Sequence, residues 1–150
     1  MLRLEPASYG RLVQRLPGAL NAGFAGAEAN VAVAFARLGG EAAHVTVVPD
    51  NPVADALERE LRGLGVDTRG LIRSDEGRLG TFYTERGANQ RPSVVVYDRA
   101  GSSIALADAA RYDWDAILAG ADWLHVTGIT PAISSQAADA TRRAVAQAAE

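Results

Sequence analysis

A chain of 150 residues with 48% hydrophobic and 22% charged residues has the composition of one ordinary globular domain, so disorder is excluded as a description of the whole. The net charge is −3, and the 15 basic residues are scattered, which argues against a surface for nucleic acid or an anionic membrane. The chain has no cysteine, so disulfides, thiolate catalysis and cysteine metal sites are excluded as well.

No apolar run reaches the ~20 residues that span a bilayer. The first residues, 1–6, are not followed by the apolar region of a signal peptide. These features favour a cytoplasmic location.

Residues 1–24 show no helical period and are punctuated by glycine and proline, so loop with one or two short strands is predicted. A helix is predicted over residues 30–38, and Gly39 and Gly40 end it. Four apolar residues with helical spacing define one face of this helix: Val31, Ala34, Phe35 and Leu38.

A parallel α/β layer is predicted next, because strand, helix and strand follow one another. Residues 43–48 are predicted to form a buried strand, and 66–72 a second, shorter one. The helix between them begins at the cap Asn51, with Pro52 at its first position, and Gly65 closes it. Its apolar positions are Val53, Leu57, Leu61 and Leu64.

The following section has the pattern of a β-hairpin, with strands over residues 80–86 and 93–99 and a loop over 87–92. Alternation along the second strand places Tyr97 and Arg99 on one face and Asp98 on the other. Tyr83 of the first strand is expected near Tyr97 and Arg99. This hairpin is expected to project from the parallel sheet, whose strands have continuous apolar runs.

The last third of the chain is predicted to begin with a short helix that Asp113 caps and Gly120 ends. Residues 123–126 then have the pattern of a buried strand, which leads into the loop 127–131. Ser134 or Ser135 caps an alanine-rich helix that is expected to run to the last residue, with no closing strand after it.

Catalytic signatures are few. His44 and His125 both lie in apolar strand patterns, which favours a structural role, and neither has metal-ligand neighbours. No Gly-x-Ser-x-Gly elbow, Walker A loop or complete Gly-x-Gly-x-x-Gly is present, which argues against a nicotinamide-binding domain.

Two segments have the chemistry of a binding site. In residues 26–32, Gly26 lets a ligand approach the backbone, Glu28 suits a helix start, and Asn30 offers a donor and an acceptor to a polyol. The alternative is a helix start that needs small residues for packing. In the hairpin, Tyr97 and Arg99 could hold a hydroxyl and a carboxylate together, and the alternative is a solvated strand.

These segments, in this order, resemble the PfkB family of carbohydrate kinases. Residues 26–39 are similar to the N-terminal sugar-binding motif of that family. Residues 91–102 and 127–131 resemble most closely the 2-keto-3-deoxygluconate kinases within it.

The resemblance implies a ribokinase-like, Rossmann-type three-layer α/β sandwich with a small β-lid formed by segments 10–24 and 80–99. In many relatives that lid covers the sugar and also makes a homodimer contact. The implied reaction is the ATP- and Mg²⁺-dependent phosphorylation of a sugar acid, 2-keto-3-deoxygluconate, on its terminal hydroxyl. The implied substrate-binding residues are Gly26, Asn30, Tyr83, Tyr97, Arg99 and Ile129. Among them, Arg99 would lie near the acid end of the substrate, and Ile129 would contribute both its backbone and its side chain.

The chain departs from the family pattern in three places. Ala25 stands where a first glycine is usual, and the family's opening strand is absent or reduced to residues 1–4. The Gly-Ala-Gly-Asp motif, which carries the catalytic base and helps to bind the transferring phosphate, does not occur in the sequence. No catalytic or metal-binding residue can therefore be assigned, and these 150 residues alone are expected to be inactive. The alternatives are a non-enzymatic sugar-binding or dimerisation module, and a kinase for a neutral sugar such as fructose or ribose, against which Arg99 argues.

Overall fold

A four-stranded mixed sheet, in the order β2-β1-β7-β8, dominates the computed structural model, which describes residues 1–149. In it β1 (Leu2–Pro6) runs antiparallel to β2 (Leu20–Phe24) and parallel to β7 (Thr81–Glu85). β8 (Val94–Asp98) closes the sheet antiparallel to β7. The predicted hairpin is thus confirmed, and its strands lie in a different sheet from the strands predicted over residues 43–48 and 66–72, as expected.

β1 is an interior strand that pairs with β2 and β7 and not with the strands of the parallel layer. Of the two alternatives for the opening strand, absent or reduced to residues 1–4, this pairing favours the first. Segments 10–24 and 80–99, which were expected to form a lid, contain three strands of this sheet, β2, β7 and β8, and the first six residues supply the fourth, β1.

The parallel layer consists of two short strand pairs. β3 (Ala42–Ala43) pairs with β5 (Val66–Asp67), and β4 (Thr46–Pro49) pairs with β6 (Leu71–Ser74). Each of the two predicted strands is therefore divided in two. The second divides because the Leu71 amide donates to the Thr68 carbonyl at 3.0 Å and closes a turn between β5 and β6.

Six α-helices and two 3-10 turns complete the described chain. The helices are α1 (Leu12–Arg15), α2 (Ala27–Arg37), α3 (Pro52–Gly63), α4 (Ser103–Leu106), α5 (Trp114–Leu118) and α6 (Ser135–Gln147). The 3-10 turns are Ala109–Arg111 and Thr130–Ala132. None of the described helices has the length and apolarity that crossing a bilayer requires.

The core forms around α3, which begins as predicted. The Asn51 side chain accepts hydrogen bonds from the amides of Val53 and Ala54 at 3.1 and 3.0 Å, which satisfies two free donors of the first turn. Leu57 and Leu61 are buried, 6% and 4% exposed, whereas Val53 remains 41% exposed. The residues buried together in this cluster are Ala32, Val48, Ala54, Leu57, Leu61 and Val66.

α2 packs through a different face from the one its apolar pattern defines. It starts at Ala27, three residues earlier than predicted, and contacts the core through small side chains such as Ala32 and Ala36. All four residues of the predicted apolar face are exposed: Val31, Ala34, Phe35 and Leu38. The small residues are the ones buried because they let the helix backbone approach β3 and β5 closely.

The C-terminal third confirms both predicted helices but not the predicted strand. The carboxylate of Asp113 caps α5, and the hydroxyl of Ser134 caps α6 by accepting from the Ala137 amide at 3.0 Å. α6 ends at Gln147, and Glu150 lies outside the described residues. The strand predicted over 123–126 is wrong: these residues pair with no described strand, and Trp123 is 90% exposed.

Candidate functional site

The candidate site lies at one end of the four-stranded sheet, where the strands stop in line. The Ala25 amide donates to the Met1 carbonyl at 3.0 Å, and the Leu2 amide donates to the Gly80 carbonyl at 2.9 Å. A Cβ at Gly80 would lie 3.5 Å from the Cβ of Arg99. Neighbouring strands are about 4.8 Å apart, so Ala25 and Arg99 are separated by roughly 14 Å at this end of the sheet. The start of α2 and Arg99 therefore lie at the same end of the sheet.

Arg99 presents a positive charge at this edge. Its guanidinium carbon lies 4.2 Å from the centroid of the Tyr97 ring, a cation–π arrangement that holds the side chain across the strand face. Asp98, on the other face, is paired with Arg78. Within residues 1–149, Arg99 forms no ion pair with a carboxylate. The Arg99 charge is therefore available to an anionic ligand.

Phe82, and not Tyr83, shares this face. Cross-strand partners point to the same side of a sheet, and the register pairs Phe82 with Tyr97 and Tyr83 with Val96. The rings of Phe82 and Tyr97 lie 5.9 Å apart. Tyr83, on the neighbouring strand, points to the face opposite Tyr97 and Arg99. A six-residue hairpin loop does not fix this register from sequence alone, and substrate binding by Tyr83 stays a prediction.

Gly26 and Asn30, at the start of α2, form the opposite wall of the candidate site, across the end of the sheet from Arg99. Gly26 has φ 179°, an extended conformation open to any residue, and a Cβ there would meet only the Ala29 Cβ at 3.7 Å, an ordinary contact. The described fold does not itself require glycine at this position, whereas a ligand lying against the backbone would. Asn30 is exposed one turn later, and its side chain forms no hydrogen bond within residues 1–149.

Glu28 lies between these two residues and joins them to the loop that contains Ile129. Its Oε1 accepts hydrogen bonds from the hydroxyls of Thr127 and Thr130 at 2.5 and 2.9 Å. Burial alone would raise the pKa of Glu28, but hydrogen bonds from Thr127, the Glu28 backbone amide and Thr130 outweigh it and hold this pKa below its usual value. Sequence reasoning missed this contact because its partners are separated by 99 and 102 residues.

Ile129 offers its side chain to the site. The side chain is 45% exposed. Its backbone is already engaged, since the amide donates to the Thr127 hydroxyl at 3.2 Å and the carbonyl accepts from the Ala132 amide at 3.1 Å. Of the two contributions expected from Ile129, the described geometry leaves the side chain free.

Two open depressions, of about 300 and 390 Å³, lie away from these residues, one beside Glu58 and Arg62 of α3 and the other beside Tyr112 and Arg143. In residues 1–149 no three histidine or acidic side chains come together as a metal site. We call the face between Arg99 and the start of α2 the cleft.

His44 lies close to this region and titrates abnormally. Burial lowers its pKa from 6.5 to about 4, and the amino group of Met1 adds to the shift while Glu28 opposes it. In the unfolded chain His44 therefore binds a proton below about pH 6.5, whereas in the folded chain it binds one only below about pH 4. We expect the free energy of unfolding to fall by roughly 2–3 kcal/mol from this group between pH 6.5 and 4.

Urea unfolding of the wild type and His44→Leu across this pH range checks the expectation. The variant should lose that part of the pH dependence. His125 is exposed, so His125→Leu is a matched control that should keep the wild-type dependence. Identical pH dependence in the wild type and His44→Leu would contradict the assignment.

Known proteins share this architecture. Residues 2–150 match the pfkB family of carbohydrate kinases. The chain is 36% identical, over its whole length, to a 2-dehydro-3-deoxygalactonokinase from Haloferax volcanii, of which it covers 46%. It is 37% identical over 79% of its length to a 2-dehydro-3-deoxygluconokinase from Bacillus subtilis, of which it covers 36%.

The solved structures agree. The crystal structure of 2-dehydro-3-deoxygluconokinase from Thermotoga maritima superposes on 97% of the chain with a TM-score of 0.92 and 42% identity, and the chain covers 44% of it. The chain thus spans less than half the length of these relatives. The expected ribokinase-like α/β fold is confirmed, and the chain belongs to the pfkB family of carbohydrate kinases.

Proposed function

We propose that this chain forms the sugar-acid-binding part of an ATP-dependent sugar-acid kinase that acts on 2-keto-3-deoxygluconate. The observation that carries the proposal is the position of the Arg99 guanidinium. It has no carboxylate partner in the described part, and it contacts the Tyr97 ring at the end of the sheet where α2 begins. The relatives described above, which are named as deoxy-sugar-acid kinases, support the same substrate class.

In this proposal each wall of the cleft has a distinct task. Arg99 binds the substrate carboxylate through paired N–H donors, and the neighbouring rings of Tyr97 and Phe82 limit its movement. Gly26 leaves space for the sugar backbone, while Asn30 donates to and accepts from its hydroxyls. The side chain of Ile129 forms an apolar wall. Held at both ends, the substrate would present its terminal hydroxyl in one orientation.

ATP and Mg²⁺ belong to the proposed reaction, with the γ-phosphate as the group transferred. Residues 1–149 show no metal-ligand cluster, and the sequence has no Gly-Ala-Gly-Asp motif, so no step of phosphate transfer is assigned to this chain. The residues present bind and orient the sugar acid. A cytoplasmic location remains a prediction.

We further propose that the four-stranded sheet acts as a lid over the sugar and as a dimer contact. β8 is an edge strand whose outer side pairs with no described strand, and its three consecutive valines, Val94, Val95 and Val96, are 41–50% exposed. An exposed apolar edge strand favours pairing with a second copy of the chain. Sedimentation equilibrium should show a dimer that Val95→Lys dissociates, and a monomeric wild type would contradict the proposal.

Calorimetric titration with a panel of sugars tests the substrate class. 2-Keto-3-deoxygluconate and its galactonate epimer should bind more tightly than fructose or ribose, because only the acids offer a carboxylate to Arg99. Equal or tighter binding of fructose or ribose would favour a neutral-sugar kinase instead.

The 150-residue chain alone is expected to phosphorylate none of these sugars, because it contains no residue that can be assigned as the catalytic base. A coupled assay of ADP release with the purified chain, ATP and Mg²⁺ measures this directly. Turnover above the rate without protein would contradict the expectation. If the chain binds the sugar acid but does not phosphorylate it, these residues form the binding part of a kinase and not a complete enzyme.

A further inference from the structure

The loop that contains Ile129, residues 127–133, has few long-range hydrogen bonds. Residues 123–126 pair with no described strand, and the hydrogen bonds that begin in residues 127–133 otherwise stay within that segment. Within residues 1–149, two hydrogen bonds join this segment to the first 120 residues, and both end on one atom, Oε1 of Glu28.

These bonds form a short relay. Thr127 donates its hydroxyl hydrogen to Glu28 at 2.5 Å, and its oxygen accepts the Ile129 amide at 3.2 Å. Thr130, on the other side of Ile129, donates to the same carboxylate oxygen at 2.9 Å. The Glu28 carboxylate is therefore hydrogen-bonded to the loop on both sides of Ile129.

Glu28 also has a fixed place relative to the opposite wall of the cleft. It lies in the first turn of α2 between Gly26 and Asn30, and the Asn30 amide donates to the Gly26 carbonyl at 2.8 Å. A side chain on a regular helical turn is held more precisely than one on a loop. Its negative charge suits the positive end of the helix.

From this geometry we infer that Glu28 is a positioning residue: through Thr127 and Thr130 it sets the distance between Ile129 and the Gly26–Asn30 wall, without itself contacting the sugar. The inference rests on the proposed function for its effect on affinity. It assigns a role to a residue whose only sequence signal was its suitability for a helix start.

Two variants separate the relay from a general effect on folding. Glu28→Ala removes the acceptor, whereas Glu28→Gln keeps an oxygen that can accept from both hydroxyls and should restore most of the wild-type behaviour. Thr127→Val breaks the relay from its other end while preserving shape. Glu41→Ala is the matched control, because Glu41 is exposed and has no hydrogen-bond or ion-pair partner within residues 1–149.

The first measurement is amide hydrogen exchange of Ile129 in the protein without ligand. Exchange should be faster in Glu28→Ala and in Thr127→Val, and close to wild type in Glu28→Gln and Glu41→Ala. Unchanged Ile129 exchange in Glu28→Ala would overturn the inference whatever the sugar affinity turns out to be.

The second measurement is the Kd for 2-keto-3-deoxygluconate. Misplacing one wall of a site weakens binding substantially, so we expect an increase of about ten-fold in Glu28→Ala and a similar one in Thr127→Val. Combining the two substitutions should add little, since both break one relay. Faster exchange with unchanged affinity in both variants would overturn the positioning role.

These readouts distinguish the two proposals. If the wild type binds no sugar acid, the proposed function fails and the role of Glu28 in affinity fails with it. The exchange of Ile129 would still decide whether Glu28 fixes the loop.

Discussion

Arg99→Ala is expected to weaken the binding of 2-keto-3-deoxygluconate about ten- to a hundred-fold. A hydrogen bond to a charged group contributes roughly 1.5–3 kcal/mol, which corresponds to that range of affinity. No carboxylate in the described residues pairs with Arg99, so its loss should leave no buried partner unpaired and should change stability little. Calorimetric titration of the wild type and the variant measures the effect.

Three comparisons make this result specific. Arg99→Lys keeps the charge but loses two-pronged geometry, so its affinity should lie between those of the wild type and Arg99→Ala. Arg59→Ala removes an exposed arginine of α3 that forms no ion pair in the described part, and it should bind like the wild type. A neutral analogue of the sugar should bind all four proteins about equally. Equal losses for the acid and the analogue would mean that Arg99 supports the sheet and does not bind the carboxylate.

Leu61→Ala is expected to cost the largest share of stability of any change discussed here. Leu61 is 4% exposed and lies in the cluster formed by α3, α2 and the parallel strands. Truncating a buried leucine to alanine typically costs about 2–5 kcal/mol, a large part of the roughly 5–15 kcal/mol that stabilises a domain. Urea unfolding followed by circular dichroism gives the difference in the free energy of unfolding.

Leu38 supplies the matched control, since it is 88% exposed at the end of α2. Leu38→Ala should change the free energy of unfolding by less than about 0.5 kcal/mol, as is usual for surface positions. A cost for Leu38→Ala equal to that of Leu61→Ala would mean that another surface covers the exposed face of α2.

Local chemistry predicted the element boundaries well where a cap or a turn defines them. Asn51, Asp113 and Ser134 each cap the helix that the sequence assigned to them. The hairpin was predictable too, because alternation and a loop with glycine are both local signals. The caps and the hairpin were predictable because the residues that determine them are close together in the sequence.

Two predictions that depend on packing partners were wrong. The apolar face of α2 suggested a core contact, yet Phe35 and Leu38 are exposed and Ala32 is buried. Trp123 lies in a strand-like pattern, but a strand forms only beside another strand, and no described strand is adjacent. Apolar periodicity identifies a surface that can be buried, and it does not say which surface covers it.

The candidate site shows the same division. Gly26, Asn30, Tyr97 and Arg99 could be named from two motifs, and the structure places them along one edge. Phe82, and not Tyr83, shares a face with Tyr97, because a shift of one residue moves a side chain to the other face of a sheet. The contacts of Glu28 with Thr127 and Thr130 could not be found from sequence, since they join residues about one hundred positions apart.

An NMR titration of the ¹⁵N-labelled chain with 2-keto-3-deoxygluconate tests the central claim most directly, since it reports both whether the sugar acid binds and where. We predict saturable shifts of the amides of Gly26, Asn30, Arg99 and Ile129, with amides of α3 and α6 unaffected. The same shifts should be much smaller with a neutral sugar at equal concentration. The absence of saturable shifts, or shifts centred on α3 or α6, would contradict the assignment of this cleft as a sugar-acid site.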